Sequence, residues 1–208
     1  MKIAVLTFDA FNELDSFVAA SLLNRLSAVG WRAYITAPTE RVTSKNGVVV
    51  EAQRPLEFAA EADAVIFGSG MRTDEVADDP AMLSRIIVDP RRQLLVSQCS
   101  GALIMASLGL LAGMPVCTDP MTKPLLARRG ARVMDRPFHA SGNVATAGGC
   151  LASQYIAAWI IARNLGIDQA AAIIRYVAPV GQQDEYVARA IAAVRPFLPD
   201  AAEMRNSA

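Results

Sequence analysis

The feature that most constrains this chain is the alternation of short, uncharged apolar runs with segments of helical periodicity. Ile3–Phe8, Trp31–Ala37, Ala64–Phe67 and Leu94–Ser97 read as strands, the first and third of them as apolar runs buried on both faces. Such runs belong to a parallel sheet covered on both faces, because a half-exposed strand would alternate apolar and polar residues. Between the first two, Leu14, Phe17, Val18, Leu22, Leu26 and Val29 recur at helical spacing, with Gly30 as the stop. Thr43–Val50 reads as a hairpin turning at Asn46-Gly47. A helix is predicted from about Pro80, with Asp78 and Asp79 as capping residues, and another over Ala102–Leu111, stopped by Gly113.

The later sequence continues the pattern. Leu125–Arg129 reads as a helix ended by Gly130, Val133–Met134 as a short strand, and His139–Thr146 as strand broken by a Ser141-Gly142-Asn143 turn. Helices are predicted over Ala152–Leu165, Ala170–Tyr176 and Glu185–Val194. No repeat, linker or compositional break divides the 208 residues, so the expectation is one domain over 1–208. Its fold class is α/β: a single doubly wound, mostly parallel sheet with helices on both faces.

Twenty basic residues balance twenty acidic ones, which removes the electrostatic case for nucleic acid or an anionic membrane. Gln93–Thr118 carries no charge, but its glycines, serines and Pro115 break it into strand, helix and turn, so no membrane span is expected. The apolar start is cut by Asp9 and reads as a strand, not a leader. Cys99, Cys117 and Cys150 form no CxxC pair and His139 is the only histidine. This spacing predicts neither a disulfide framework nor a zinc site, no cofactor, and a reducing cytoplasmic setting.

Open parallel sheets bind ligands at the carboxyl ends of their strands. Three such ends carry chemistry here: Asp9–Asp15, Gly68-Ser69-Gly70 and Cys99-Ser100. Cys99 lies between an apolar strand and a helix, with Gly101 two residues on, the arrangement of a nucleophile elbow. The helix N-terminus there is expected to lower the thiol pKa. Gly68-Ser69-Gly70 would bring backbone N–H groups beside the thiol. From spacing alone a buried packing cysteine, an ordinary turn, and capping by Glu13 and Asp15 remain alternatives.

Together these segments resemble the ThiJ/PfpI superfamily, over about residues 1–195. The resemblance rests on Phe11-Asn12-Glu13-Leu14-Asp15 after the first strand and the Ser44–Val50 hairpin. It rests also on Gly68-Ser69-Gly70, where the family usually has Pro-Gly-Gly, on Gln98-Cys99-Ser100-Gly101, on Leu110–Gly113, and on Gly142–Gly149. It implies a class I glutamine-amidotransferase-like, flavodoxin-like sandwich with Cys99 as nucleophile and Asp15 as the active-site carboxylate. Gly70, Ser69, Ser100 and Asp119 would line an oxyanion and substrate site.

Asp15 in place of Glu, and Ser100 in place of His after the cysteine, are similar to isocyanide hydratases and to the sensor halves of AraC-type regulators. Where other members have His after the elbow helix, this chain has Asp119. His139, on the late strand, is expected to be structural. The resemblance therefore implies addition of Cys99 to a small electrophilic substrate, with Asp15 as acid/base, as in hydration of isonitriles to N-substituted formamides. Its alternatives are a glyoxalase or deglycase acting on small α-oxoaldehydes, a cysteine redox sensor, or a ligand sensor without a DNA-binding segment. A homodimer is expected, as is common in the superfamily.

Overall fold

The computed structural model describes residues 1–199. Its main sheet has seven strands in the order β5-β2-β1-β6-β7-β9-β8. They are β1 (Lys2–Leu6), β2 (Arg32–Ala37), β5 (Arg54–Pro55), β6 (Ala64–Phe67), β7 (Leu94–Gln98), β8 (Phe138–Ser141) and β9 (Val144–Ala147). All neighbours pair in parallel except β8, which folds back antiparallel on β9 through a turn at Gly142, φ +57°. A separate hairpin pairs β3 (Arg41–Thr43) with β4 (Val49–Glu51) across the predicted Asn46-Gly47 turn.

Both faces of the sheet are covered, which explains the apolar runs of β1, β6 and β7. Ile3, Val5, Ile66 and Val96 point into one core, packed by α1 (Glu13–Asn24), α6 (Ser153–Leu165), α7 (Ile167–Val177) and α8 (Gln183–Val194). Ala4, Leu6, Val65, Phe67 and Leu95 point to the other face, against Leu103, Ile104 and Met105 of α4 (Gly101–Ser107) and Leu126 of α5 (Lys123–Arg128). A fully buried Val, Leu or Ile contributes about 1.5–3 kcal/mol relative to exposure, so the central strands β1, β6 and β7 are fixed from both sides. Trp159 of α6 is the largest fully buried side chain.

Several boundaries differ from the sequence reading, each for a local reason. The first helix ends at Asn24, and a 3₁₀ turn, Ser27–Val29, carries the chain to Gly30 at φ +83°. The elbow helix α4 stops at Ser107, ahead of Gly109 at φ +72°, so Leu110 and Leu111 lie in turns. Val133 makes one bridge to Val116 rather than a strand. A short helix α2 (Thr73–Ala77) precedes α3 (Pro80–Ser84). Its five residues bury only Thr73 and Ala77, too few for an apolar period to show. Asp79 caps α3, accepting from the backbone N–H groups of Ala81 and Met82. Among the described residues no helix is long and apolar enough to cross a membrane.

The strand order places the chemistry. From β1 the chain runs outward to β2 and β5, then returns to β6 on the other side of β1. That reversal opens a crevice at the strand ends, where Asp15, Ser69-Gly70 and Cys99 all arrive.

Candidate active site

Cys99 follows β7 with φ +46°, in a left-handed conformation that costs a side-chain-bearing residue about 1–2 kcal/mol. The surrounding bonds hold it there. Its N–H donates to Ala147 O at 2.9 Å, and its carbonyl accepts from Thr118 Oγ1 at 2.9 Å. Gly101 permits the turn: a Cβ there would stand 2.1 Å from Phe67 O. At Gly70 a Cβ would stand 2.5 Å from Ala10 O, so the loops after β1 and β6 touch backbone to backbone.

The first turn of α1 delivers Asp15, which is fully buried. Asn12 caps that turn, its side chain accepting from Leu14 N–H at 3.3 Å. Glu13 instead turns outward and fixes the hairpin, accepting from Ser44 Oγ at 2.5 Å and Asn46 Nδ2 at 3.0 Å. The Ser44 hydroxyl, foremost among several donors, holds the Glu13 carboxyl below the ordinary range. Ser69 Oγ donates to Asp15 Oδ2, whereas Oδ1 has no hydrogen-bond partner among the described residues. A carboxyl oxygen of Asp15 lies within 4.8 Å of Cys99 Sγ.

This neighbourhood corrects one expectation. Burial first, and the Asp15 charge second, push the Cys99 thiol far above the ordinary range instead of below it. Helix α4 has only seven residues, so its dipole is weak against these two effects. Cys99 is 3% exposed and therefore rests as a protonated thiol beside a carboxyl group.

Cys99, Asp15, Ser69, Gly70, Ser100 and Asp119 all line one open cavity of about 350 Å³. Ser100 Oγ accepts weakly from Gly70 N–H at 3.3 Å and donates to Thr73 Oγ1 at 3.0 Å. Ser100 and Gly70 are thus engaged with each other, and a substrate oxygen would have to compete for them. Asp119 caps the turn before α5, its Oδ1 accepting from Met121 and Thr122 N–H at 3.0 Å. Met121, Leu125 and Leu103 give the cavity an apolar wall, and Lys45 gives it one cation.

His139 lies apart from this cavity. It is half-buried on β8, its ring edge-on to Phe197 with centroids 5.0 Å apart, and burial lowers its pKa. Cys117 is buried and its thiol is pushed up to about 11 by burial. Cys150, which the spacing rules passed over, belongs to the site. Its Sγ lies within 4.8 Å of both Cys99 Sγ and an Asp15 oxygen, and accepts from Asn12 Nδ2 at 3.1 Å. Pairing of β7 with β9 sets Gln98 opposite Ala147, so Cys99 and Cys150 emerge from neighbouring strand ends.

A sequence profile of the DJ-1/PfpI family matches residues 1–163. The chain belongs to the DJ-1/PfpI family. Solved structures agree on the fold. Schizosaccharomyces pombe DJ-1 superposes with a TM-score of 0.73 at 15% identity, over 86% of this chain and 100% of that one. A ThiJ/PfpI family protein from Pseudomonas syringae gives 0.74 at 20% identity, over 93% and 87%. A DJ-1 superfamily protein from Salmonella typhimurium gives 0.66 at 22% identity, over 95% and 98%. A search of curated protein sequences returned no match. This DJ-1/PfpI chain thus has the family's mostly parallel sheet, with a cysteine on the elbow.

Proposed function

We propose that this DJ-1/PfpI protein is a cysteine-dependent hydratase of small isonitriles, of the isocyanide hydratase-like kind. One observation carries the reading: a strained, protonated Cys99 shares a cavity with buried Asp15, while the histidine that other acid/base schemes need lies elsewhere. Isonitrile hydration needs a nucleophile and a proton delivered to the same carbon, and a thiol beside a carboxyl group supplies both.

In the proposed sequence, Cys99 Sγ bonds to the isonitrile carbon as its proton passes to Asp15. Asp15 then gives that proton to the same carbon, leaving a thioimidate, R–N=CH–S–Cys99. Water adds to this carbon; one of its protons goes to nitrogen and the other returns to sulfur as the C–S bond breaks. The product is R–NH–CHO, and the thiol and carboxyl group are restored. The apolar wall of Leu103, Met121 and Leu125 suits an alkyl or aryl R group.

The test is turnover of a small alkyl isonitrile, followed as formamide by NMR, with methylglyoxal assayed in parallel. Cys99→Ala abolishes formamide production, and Asp15→Asn lowers kcat by about 10²–10⁴-fold. Conversion of methylglyoxal with the isonitrile left intact would replace this reading by the α-oxoaldehyde one.

A further inference from the structure

The three groups at the base of the cavity come from three separate strand ends, so no spacing motif could reveal them. Asp15 follows β1, Cys99 follows β7 and Cys150 follows β9. One oxygen of Asp15 and the two sulfurs lie within 4.8 Å of one another. In a tetrahedral zinc site, with Zn–S near 2.3 Å and Zn–O near 2.0–2.2 Å, ligand atoms lie roughly 3.5–4 Å apart. About 1 Å of side-chain adjustment closes the set, and Cys150 is only half-buried on a short 3₁₀ turn, Cys150–Ala152.

The surroundings of each donor atom point the same way. Gln98 Nε2 donates to Cys99 Sγ at 3.3 Å, and Asn12 Nδ2 donates to Cys150 Sγ at 3.1 Å. Both sulfurs are therefore held as acceptors, as thiolates at a metal are held by N–H groups. Ser69 Oγ occupies Asp15 Oδ2, and Oδ1 is buried with no hydrogen-bond partner among the described residues, which leaves it free as an oxygen donor. Each ligand thus has one orienting hydrogen bond, the outer-shell pattern that fixes metal ligands. Access and room for a fourth ligand come from the open cavity that all three residues line.

We infer that Asp15, Cys99 and Cys150 form a three-ligand site for a thiophilic divalent cation of the Zn²⁺ class, open to water at its fourth position. Binding breaks two S–H bonds and forms two Zn–S bonds, with two protons released to solvent and no change in oxidation state. Because it captures Cys99, the bound ion would silence the thiol. The site stands on its own geometry and does not depend on the hydration chemistry.

The test is titration of the full chain with Co²⁺, and then with Zn²⁺ against a chromophoric chelator, in the absence of any substrate. One equivalent of Co²⁺ should produce an intense near-ultraviolet thiolate-to-cobalt charge-transfer band that Zn²⁺ abolishes. Cys150→Ser should weaken Zn²⁺ binding by more than the roughly 10–100-fold expected for loss of an outer-shell partner. Cys117→Ser, outside the cluster, should leave both readouts unchanged. Absence of the band in the parent protein, or equal Zn²⁺ affinity in parent and Cys150→Ser, would overturn the site.

Discussion

A carboxyl oxygen of Asp15 lies within 4.8 Å of Cys99 Sγ, and its charge adds to burial in holding that thiol protonated. The resting site is therefore a thiol with a carboxyl neighbour, not a preformed thiolate. Removing the carboxylate should make the thiol more acidic while removing the group that moves its proton.

That contrast can be read by alkylation. Raised above the ordinary value of 9.0, the Cys99 thiol should react with iodoacetamide more slowly than free cysteine at pH 8, and its rate should still be rising beyond pH 9.0. Each pKa unit removed multiplies the thiolate fraction about tenfold in this range. Asp15→Asn should therefore accelerate labelling of the Cys99 peptide, as followed by mass spectrometry. An unchanged rate would separate Asp15 from the titration of Cys99.

The elbow strain has its own signature. Cys99 occupies φ +46°, which glycine adopts freely and alanine does not. Cys99→Gly should be more stable than Cys99→Ala by about 1–2 kcal/mol in urea unfolding. The reverse order would contradict the left-handed conformation.

Gly101→Ala tests the packing beneath the elbow. The new Cβ would stand 2.1 Å from Phe67 O and 2.8 Å from Gly68 O, both backbone atoms of the β6 end that cannot swing aside. A loss of about 3 kcal/mol in unfolding free energy is expected, with slower Cys99 chemistry in the fraction that folds.

Ser69 supplies the hydrogen bond to Asp15 Oδ2. Ser69→Ala leaves a buried carboxyl group with neither oxygen partnered, at a cost of about 1.5–3 kcal/mol in stability. Isonitrile turnover should fall with it, because the carboxyl loses its orientation. Stability and kcat, measured together, check this; parent-like values in both would show that Ser69 is dispensable.

Much of this architecture was legible before the structure. β1 and β6 read as buried parallel strands because they are apolar on both faces, and the elbow because a strand runs through Cys99 into Gly101. The rule that strand ends carry ligands points to Asp15, Ser69 and Gly70, and the structure places all three on the cavity. The same rule does not point to Cys150, because its proximity to Cys99 comes from the register of β7 on β9 rather than from spacing. The direction of the thiol pKa is not legible in the sequence either. The sequence displayed the helix start that would lower it, but neither the depth of burial nor the approach of Asp15, which are tertiary effects.

The central claim is that Cys99 forms a covalent bond to the isonitrile carbon, and rapid-quench mass spectrometry tests it most directly. Parent protein mixed with a small alkyl isonitrile should show a transient adduct of one whole isonitrile on the Cys99 peptide, decaying as formamide appears. Cys99→Ala should show neither adduct nor product. Formamide formed at an undiminished rate by Cys99→Ala, or no adduct on Cys99 during turnover by the parent, would contradict the account.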